Sequence, residues 1–291
     1  MKILVAYDGS ISADAAIEDM RRAALLPEAE TMVLCVADGK LAPRGYVAVE
    51  RHLEDTWIAK LETAETLAET ASNRIQSYFP RWRLSCEALW GSPAEVVLKT
   101  SSWWRPDLLI VGSHGRSRAG RVFMGSVSLE LVHKARCSVR VARIGKSVEG
   151  PIRLVIGNDG STEGEAVLGE VARRAWPPNT NAHVISVFET LSPSELERRP
   201  YAVAEQERAR LQDVAEDSAT SLRRTGLIAT GTVIDGDPRL ELVREAERWN
   251  ADTIFVGARG LRGIHRFLLG SVSTAVVTRA SCTVEVVRRA S

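Results

Sequence analysis

Asp107-Leu108-Leu109-Ile110-Val111-Gly112-Ser113-His114-Gly115 returns 145 residues later as Asp252-Thr253-Ile254-Phe255-Val256-Gly257-Ala258-Arg259-Gly260. The correspondence runs on without a gap. Between Asp107 and Arg143, 15 of 37 positions are identical to their partners in Asp252 to Arg288, where unrelated segments would share roughly two. The chain is therefore one unit written twice. Upstream, Ile3-Leu4-Val5-Ala6-Tyr7-Asp8-Gly9-Ser10 pairs with Leu154-Val155-Ile156-Gly157-Asn158-Asp159-Gly160-Ser161 at an offset of 151. Gly91 in Trp90-Gly91-Ser92-Pro93 pairs with Gly236 in Asp235-Gly236-Asp237-Pro238 at 145, so the first copy holds six extra residues between Val36/Val187 and these glycines. Lys146 to Gly150 reads as a polar linker, which divides the chain into domains 1–145 and 151–291.

Each copy alternates strand and helix signals. Lys2 to Tyr7 is a nearly unbroken apolar run, as expected of a strand buried on both faces. Ser12 to Leu26 predicts a helix that stops before Pro27, and Thr31 to Ala37 a second strand. Leu53, Trp57, Leu61, Ala64, Ala68, Ala71, Ile75 and Phe79 fall at steps of three or four, the stripe of a long amphipathic helix. Arg83 to Leu89 predicts strand three, Ala94 to Trp103 a helix, Asp107 to Val111 strand four, Gly125 to Lys134 a helix, and Ser138 to Ala142 strand five. The fold class is α/β: two tandem five-stranded parallel sheets of Rossmann-like type with helices on both faces.

The 291 residues suit two domains. Lys and Arg total 38 against 37 Asp and Glu, a net charge of +1, so no overall field draws the protein to nucleic acid or an anionic membrane. No stretch approaches the ~18 apolar residues of a membrane span, and the apolar start ends at Asp8, too soon for a secretion signal. Cys35, Cys86, Cys137 and Cys282 lie far apart without CxxC spacing and read as small buried hydrophobes in a reducing, cytoplasmic setting.

In an open parallel sheet, ligands bind beyond the carboxyl ends of the strands, and the unusual sequence gathers there. Strand one ends in Asp8-Gly9-Ser10 and strand three in Gly91-Ser92-Pro93. Strand four runs into Gly112-x-His114-Gly115, then nine residues, then Gly125-Ser126-Val127; the second copy has Gly257-x-Arg259-Gly260 and Gly270-Ser271-Val272. Glycine lets backbone N–H groups come close to a phosphate, and a helix opening at Gly125 or Gly270 turns its free amides and positive dipole end toward it. Arg116, Arg118 and Arg121 supply cationic donors in one copy, Arg259, Arg262 and Arg266 in the other. A P-loop is excluded, because no Lys stands beside the last glycine. Asp-Gly-Ser is good turn chemistry for capping the helices that follow, but the recurrence of Asp8 and Asp159 at a strand end facing the glycine loop favours ligand contact.

The G-x2-G-x9-G-S pattern, the Asp-Gly-Ser after strand one and the Gly-x-Pro after strand three resemble the ATP-binding branch of the universal stress protein family, and the two fused copies resemble its tandem members. The resemblance covers essentially the whole chain. It implies a strand order of 3-2-1-4-5 in each unit, with Ser138 to Ala142 facing Thr283 to Val287 across a pseudo-twofold axis. It implies ATP, with magnesium carried on its phosphates, as the ligand. Asp8, Gly9 and Ser10, with Asp159, Gly160 and Ser161, would lie near the nucleoside and Val36 and Val187 at the adenine edge. Gly91 and Gly236 would border the site. Gly112, Gly115, Gly257 and Gly260 would line ribose and phosphate, and Gly125, Ser126, Val127, Gly270, Ser271 and Val272 would hold the phosphates. Asn158 stands where the first copy has Tyr7, so the two sites are expected to differ.

His114 pairs with Arg259 and reads as an exposed donor rather than a base; His52, His133, His183 and His265 are scattered, with no metal set. Trp104 and Trp249 read as packing anchors at the bottom of each sheet. The Glu- and Arg-rich run Ser194 to Arg210 reads as a solvated helix face, its loose pattern marking a cover over the second site. No acid or base beyond the binding set recurs in both copies. The expected function is a nucleotide-occupancy stress regulator with unnamed protein partners, free to dimerise; an ATP-hydrolysing or adenylating enzyme is the alternative.

Overall fold

The computed structural model describes residues 1–39, 50–115, 124–144, 150–189, 201–260 and 269–289. The chain divides into two compact units.

In the first, strands β1 (Lys2–Tyr7), β2 (Glu30–Asp38), β3 (Arg83–Gly91), β4 (Leu108–Gly112) and β5 (Ser138–Ala142) pair in parallel in the order β3-β2-β1-β4-β5. Ile3, Leu4, Val5, Leu109 and Ile110 are fully buried, which explains their unbroken apolar runs. Helices α1 (Ile11–Met20), α2 (Glu50–Tyr78), α3 (Pro93–Trp104) and α4 (Ser126–Lys134) connect the strands. The stripe on α2 is confirmed where its side chains are described: Ala64, Ala68, Ala71 and Ile75 are buried. Three of the four are alanine, so the helix axis lies close over β2 and β3.

The second unit repeats the plan with β6 (Arg153–Gly157), β7 (Asn181–Glu189), β8 (Ile228–Gly236), β9 (Thr253–Gly257) and β10 (Thr283–Val287), parallel in the order β8-β7-β6-β9-β10. Its helices are α5 (Thr162–Ala172), α6 (Tyr201–Arg223), α7 (Pro238–Arg248) and α8 (Ser271–Arg279). One sheet face packs Leu154, Ile156, Ala182, Val184 and Phe255 under Val167 and Val171 of α5 and Ala219 and Leu222 of α6. On the other, Leu242 of α7 closes over Gly157 and Val256, and α8 packs beside α7.

Both units fix their helices alike. Ser10 and Ser161 cap α1 and α5, each hydroxyl accepting an N–H at 3.1 Å, from Ala13 and Gly164. The Ser128 hydroxyl donates to the Gly112 carbonyl at 2.7 Å, and Ser273 to Gly257 at 2.5 Å, tying α4 to β4 and α8 to β9. Gly91 and Gly236 take φ of +146° and +148°, a conformation closed to other residues, which turns each chain into α3 or α7. Trp104 is buried at the end of α3, with Lys2 Nζ 5.1 Å from its ring, and Trp249 caps α7 against His183; both stand at the amino ends of the strands, as expected.

Two expectations are corrected. The first helix ends at Met20, not Leu26: the Arg21 N–H turns back to Glu18 O at 3.2 Å, and Ala24 adopts a left-handed φ of 48°. Cys35 is buried but Cys86 is exposed, because β3 is the edge of its sheet and only one neighbour covers it. All four cysteines are free thiols. Among the described residues no helix is long and apolar enough to cross a membrane.

Candidate functional site

Beyond the carboxyl ends of β6, β7 and β9 lies a cavity of about 710 Å³, within the size range of small-ligand sites. Of the expected residues, Asp159, Val187, Gly257, Arg259 and Gly260 line it, as do Gly270, Ser271 and Val272 at the start of α8. A Cβ on Gly260 would stand 2.6 Å from Asp159 Oδ2, so the glycine loop and the aspartate are in contact through space that only hydrogen leaves open. Asp159 also accepts the Ser161 N–H at 3.0 Å. It is turn anchor and cavity wall together, so the two readings of this residue do not exclude each other. Gly160 and Ser161 form the turn, and Gly236 the neighbouring bend; none of these three lines the cavity.

Gly270 is the N-cap of α8, and no side chain caps the helix there. The first amides of α8 are left for an external acceptor, and the dipole favours an anion. Gly270 N–H itself is fixed by the Ala258 carbonyl at 2.8 Å. The first unit matches point for point: Gly125 caps α4 with no side-chain bond, its N–H meets Ser113 O at 2.8 Å, Asp8 Oδ1 accepts from Ser10 at 3.0 Å, and a Cβ on Gly115 would stand 3.0 Å from Asp8 Oδ2. Val36 lies in register with Leu89 and Val187 with Ile234, near the strand ends. Arg116, Arg118, Arg121, Arg262 and Arg266 fall outside the described residues, as does the stretch 194–200.

His114 is not the exposed donor expected. It is half-buried, with Nδ1 2.9 Å from the Ser113 hydroxyl and Nε2 buried without a partner among the described residues. Burial, reinforced by the positive charge of Arg143, pushes its pKa below the usual histidine range. At the equivalent place Arg259 pairs with Glu163 at 3.2 Å.

The charge pattern of the cover helix predicts a solvated face, and Val203 and Gln206 are indeed exposed while also bordering the cavity. Val203, Gln206, Glu207, Arg210 and Leu211 of α6 form one wall. Arg210 donates to the Asp159 carbonyl at 3.2 Å and is held by Glu207 at 2.8 Å, a bond that raises its pKa and keeps it charged. Phe188 and Leu242 add apolar surface. Sequence reading places the run up to Arg210 over this site but singles out none of its residues, and it misses Leu211, Phe188 and Leu242; the spacing Val203, Gln206, Arg210 on one helix face is the available signal.

The flanks differ between units. Tyr7 donates to Asp14 at 2.7 Å, and Arg74 bridges Asp14 and Glu18; burial followed by the Asp14 bond drives the Tyr7 pKa up. Asn158 instead accepts the Gly160 N–H at 2.9 Å and donates to Ser218 at 3.0 Å. Beside Gly91, Trp90 meets Trp57 with centroids 5.8 Å apart, under Lys60; beside Gly236 the same place holds the Arg208–Asp235 ion pair. Among the described residues no three His, Cys, Asp or Glu converge as a metal site.

The family model for the universal stress protein family matches residues 1–143 and again 153–288. Universal stress protein Rv2005c of Mycobacterium tuberculosis is 28% identical over 211 residues, 70% of this chain and 68% of that protein. A universal stress protein of Mycolicibacterium smegmatis is 27% identical over 300 residues, covering 98% and 96%. Among solved structures, a universal stress protein from Archaeoglobus fulgidus superposes with a TM-score of 0.68 at 20% identity, covering 99% of this chain and 98% of that one; at that identity the likeness is one of fold.

Proposed function

Since the chain belongs to the universal stress protein family, with that fold in each half, we propose that each half binds an adenine nucleotide, ATP above all, and that the protein acts as a stress regulator through occupancy rather than turnover. The observation that carries this reading is the meeting of Asp159, Gly260 and the uncapped start of α8 around one cavity. Phosphates suit the amides of Ser271 and Val272, where an N–H cradle and a helix dipole coincide. The base suits the apolar side, at Val187, Phe188 and Leu242. ATP supplies charge and a hydrolysable group; Asp159 anchors the turn, the glycines admit the phosphates, and α6 walls one side. Magnesium would arrive on the phosphates, since no acidic cluster stands ready for it among the described residues.

The domains are proposed as 1–145 and 151–291, in keeping with the two matched segments. The cytoplasm is the proposed location, which suits four free thiols. Partners are proposed to be proteins, a second copy of the chain among them. The test is mass spectrometry of nucleotide released from purified protein, with calorimetric titration by ATP and magnesium. Two nucleotides per chain are expected. Absence of both bound and titratable nucleotide overturns the reading.

A further inference from the structure

Two arginines reach the second cavity, and each arrives with a glutamate. Arg210 is held by Glu207 on its own helix. Arg259 is held by Glu163, in the first turn of α5, with Nη2 and Oε1 3.2 Å apart. Glu163 is not part of the cavity wall. It belongs to the helix that packs with α6 on one sheet face, whereas Ser271 opens α8, which packs with α7 on the other. The ion pair thus ties the Arg259 guanidinium to the first turn of α5.

Charge points the same way. Among the described residues the wall holds Asp159, Glu189 and Glu207 against Arg210 and Arg259, and Glu163 adds another negative charge behind it. Counted over the described residues alone, carboxylates match or outnumber arginines at this wall. In the first half the equivalent places hold Ser12 and His114, so no such pair exists there.

Building on the nucleotide reading above, we propose that Glu163 limits how much negative charge the second cavity accepts, so that this half discriminates less in favour of ATP over a nucleoside monophosphate than the first half, which has no such glutamate. A phosphate chain at Ser271 competes with Glu163 for Arg259, and each added phosphate adds charge of the same sign as the carboxylate behind the wall. The pair is partly exposed, 26% and 18% at the two side chains, so solvent weakens the effect without removing it.

The experiment uses the full-length chain carrying Gly115→Val, which crowds Asp8 and leaves the second half as the binding site. AMP and ATP are titrated calorimetrically without magnesium, with and without Glu163→Gln. The substitution is expected to tighten ATP about five- to tenfold and AMP clearly less. Adding Arg259→Gln to Glu163→Gln should cancel the gain, the signature of a coupled pair. Should the glutamine variant fold poorly, Glu163→Ser, the first half's own residue at this place, makes the same comparison. An unchanged or weakened ATP affinity, with AMP still bound, overturns the proposal. If neither nucleotide binds the unmodified chain, the nucleotide reading itself fails and takes this proposal with it.

Discussion

Gly260 and Gly115 each stand one side-chain atom away from an aspartate: a Cβ added at either would lie 2.6 or 3.0 Å from the carboxylate, too close for any larger residue without displacing it. Gly260→Val is therefore expected to halve the nucleotide bound per chain, and Gly115→Val to do the same through the other half, each read by equilibrium dialysis. His183 offers a residue-scale test of a different kind. Its Nδ1 lies 3.2 Å from Glu245 and its Nε2 3.1 Å from the Thr232 hydroxyl. Burial lowers its pKa more than Glu245 raises it. A histidine whose folded pKa is depressed leaves the unfolded chain holding more protons, so stability is present above the unfolded value and falls as pH drops from about 7 to about 5. His183→Met, which installs the residue of the equivalent place Met32, should flatten that slope in chemical denaturation at stepped pH. Glu245, kept ionised by Arg248, contributes only in more acid solution.

At the scale of elements, the serine ties between α4 and β4 and between α8 and β9 set where the helix amides point. Ser128 is buried, and Ser128→Ala leaves the Gly112 carbonyl without that donor. A loss of about 1 to 2 kcal/mol is expected, measured by urea unfolding, together with weaker nucleotide binding in the first half. The strands are legible in the sequence because burial on both faces writes itself as an apolar run, and α4 and α8 because glycine and serine mark their starts. The end of α1 is not, since Ala24 takes a left-handed turn with no glycine or asparagine to announce it. The exposure of Cys86 escapes the sequence because composition does not tell an edge strand from an inner one. The α6 wall is legible only as a cover, not residue by residue, for a third reason: Arg210 meets Asp159 across 51 residues, and polarity along a helix does not tell solvent from a cavity. The Glu163–Arg259 pair has both members in plain view, yet only their contact gives them a joint meaning.

For the whole molecule, the near balance of charge over 291 residues turns out to be balance in detail, with arginines paired to carboxylates even in the cavity wall. Ligand binding to the folded state must stabilise it. ATP at about a hundredfold excess over its dissociation constant should add roughly 2.7 kcal/mol to the half that holds it, a rise of about 5 to 10 °C in unfolding temperature for a domain of this size. Differential scanning fluorimetry reads this directly, and no shift would count against binding. The backbone of the two halves agrees closely at its turning points: φ is +75° at Gly9 and +76° at Gly160, +146° at Gly91 and +148° at Gly236, and −65° and −66° at the two glycine caps. Two halves of one backbone plan but different flanking side chains thus share a polypeptide, a solvent and a preparation. Each is the other's internal standard, and any substitution made in one half can be calibrated against its twin within the same molecule.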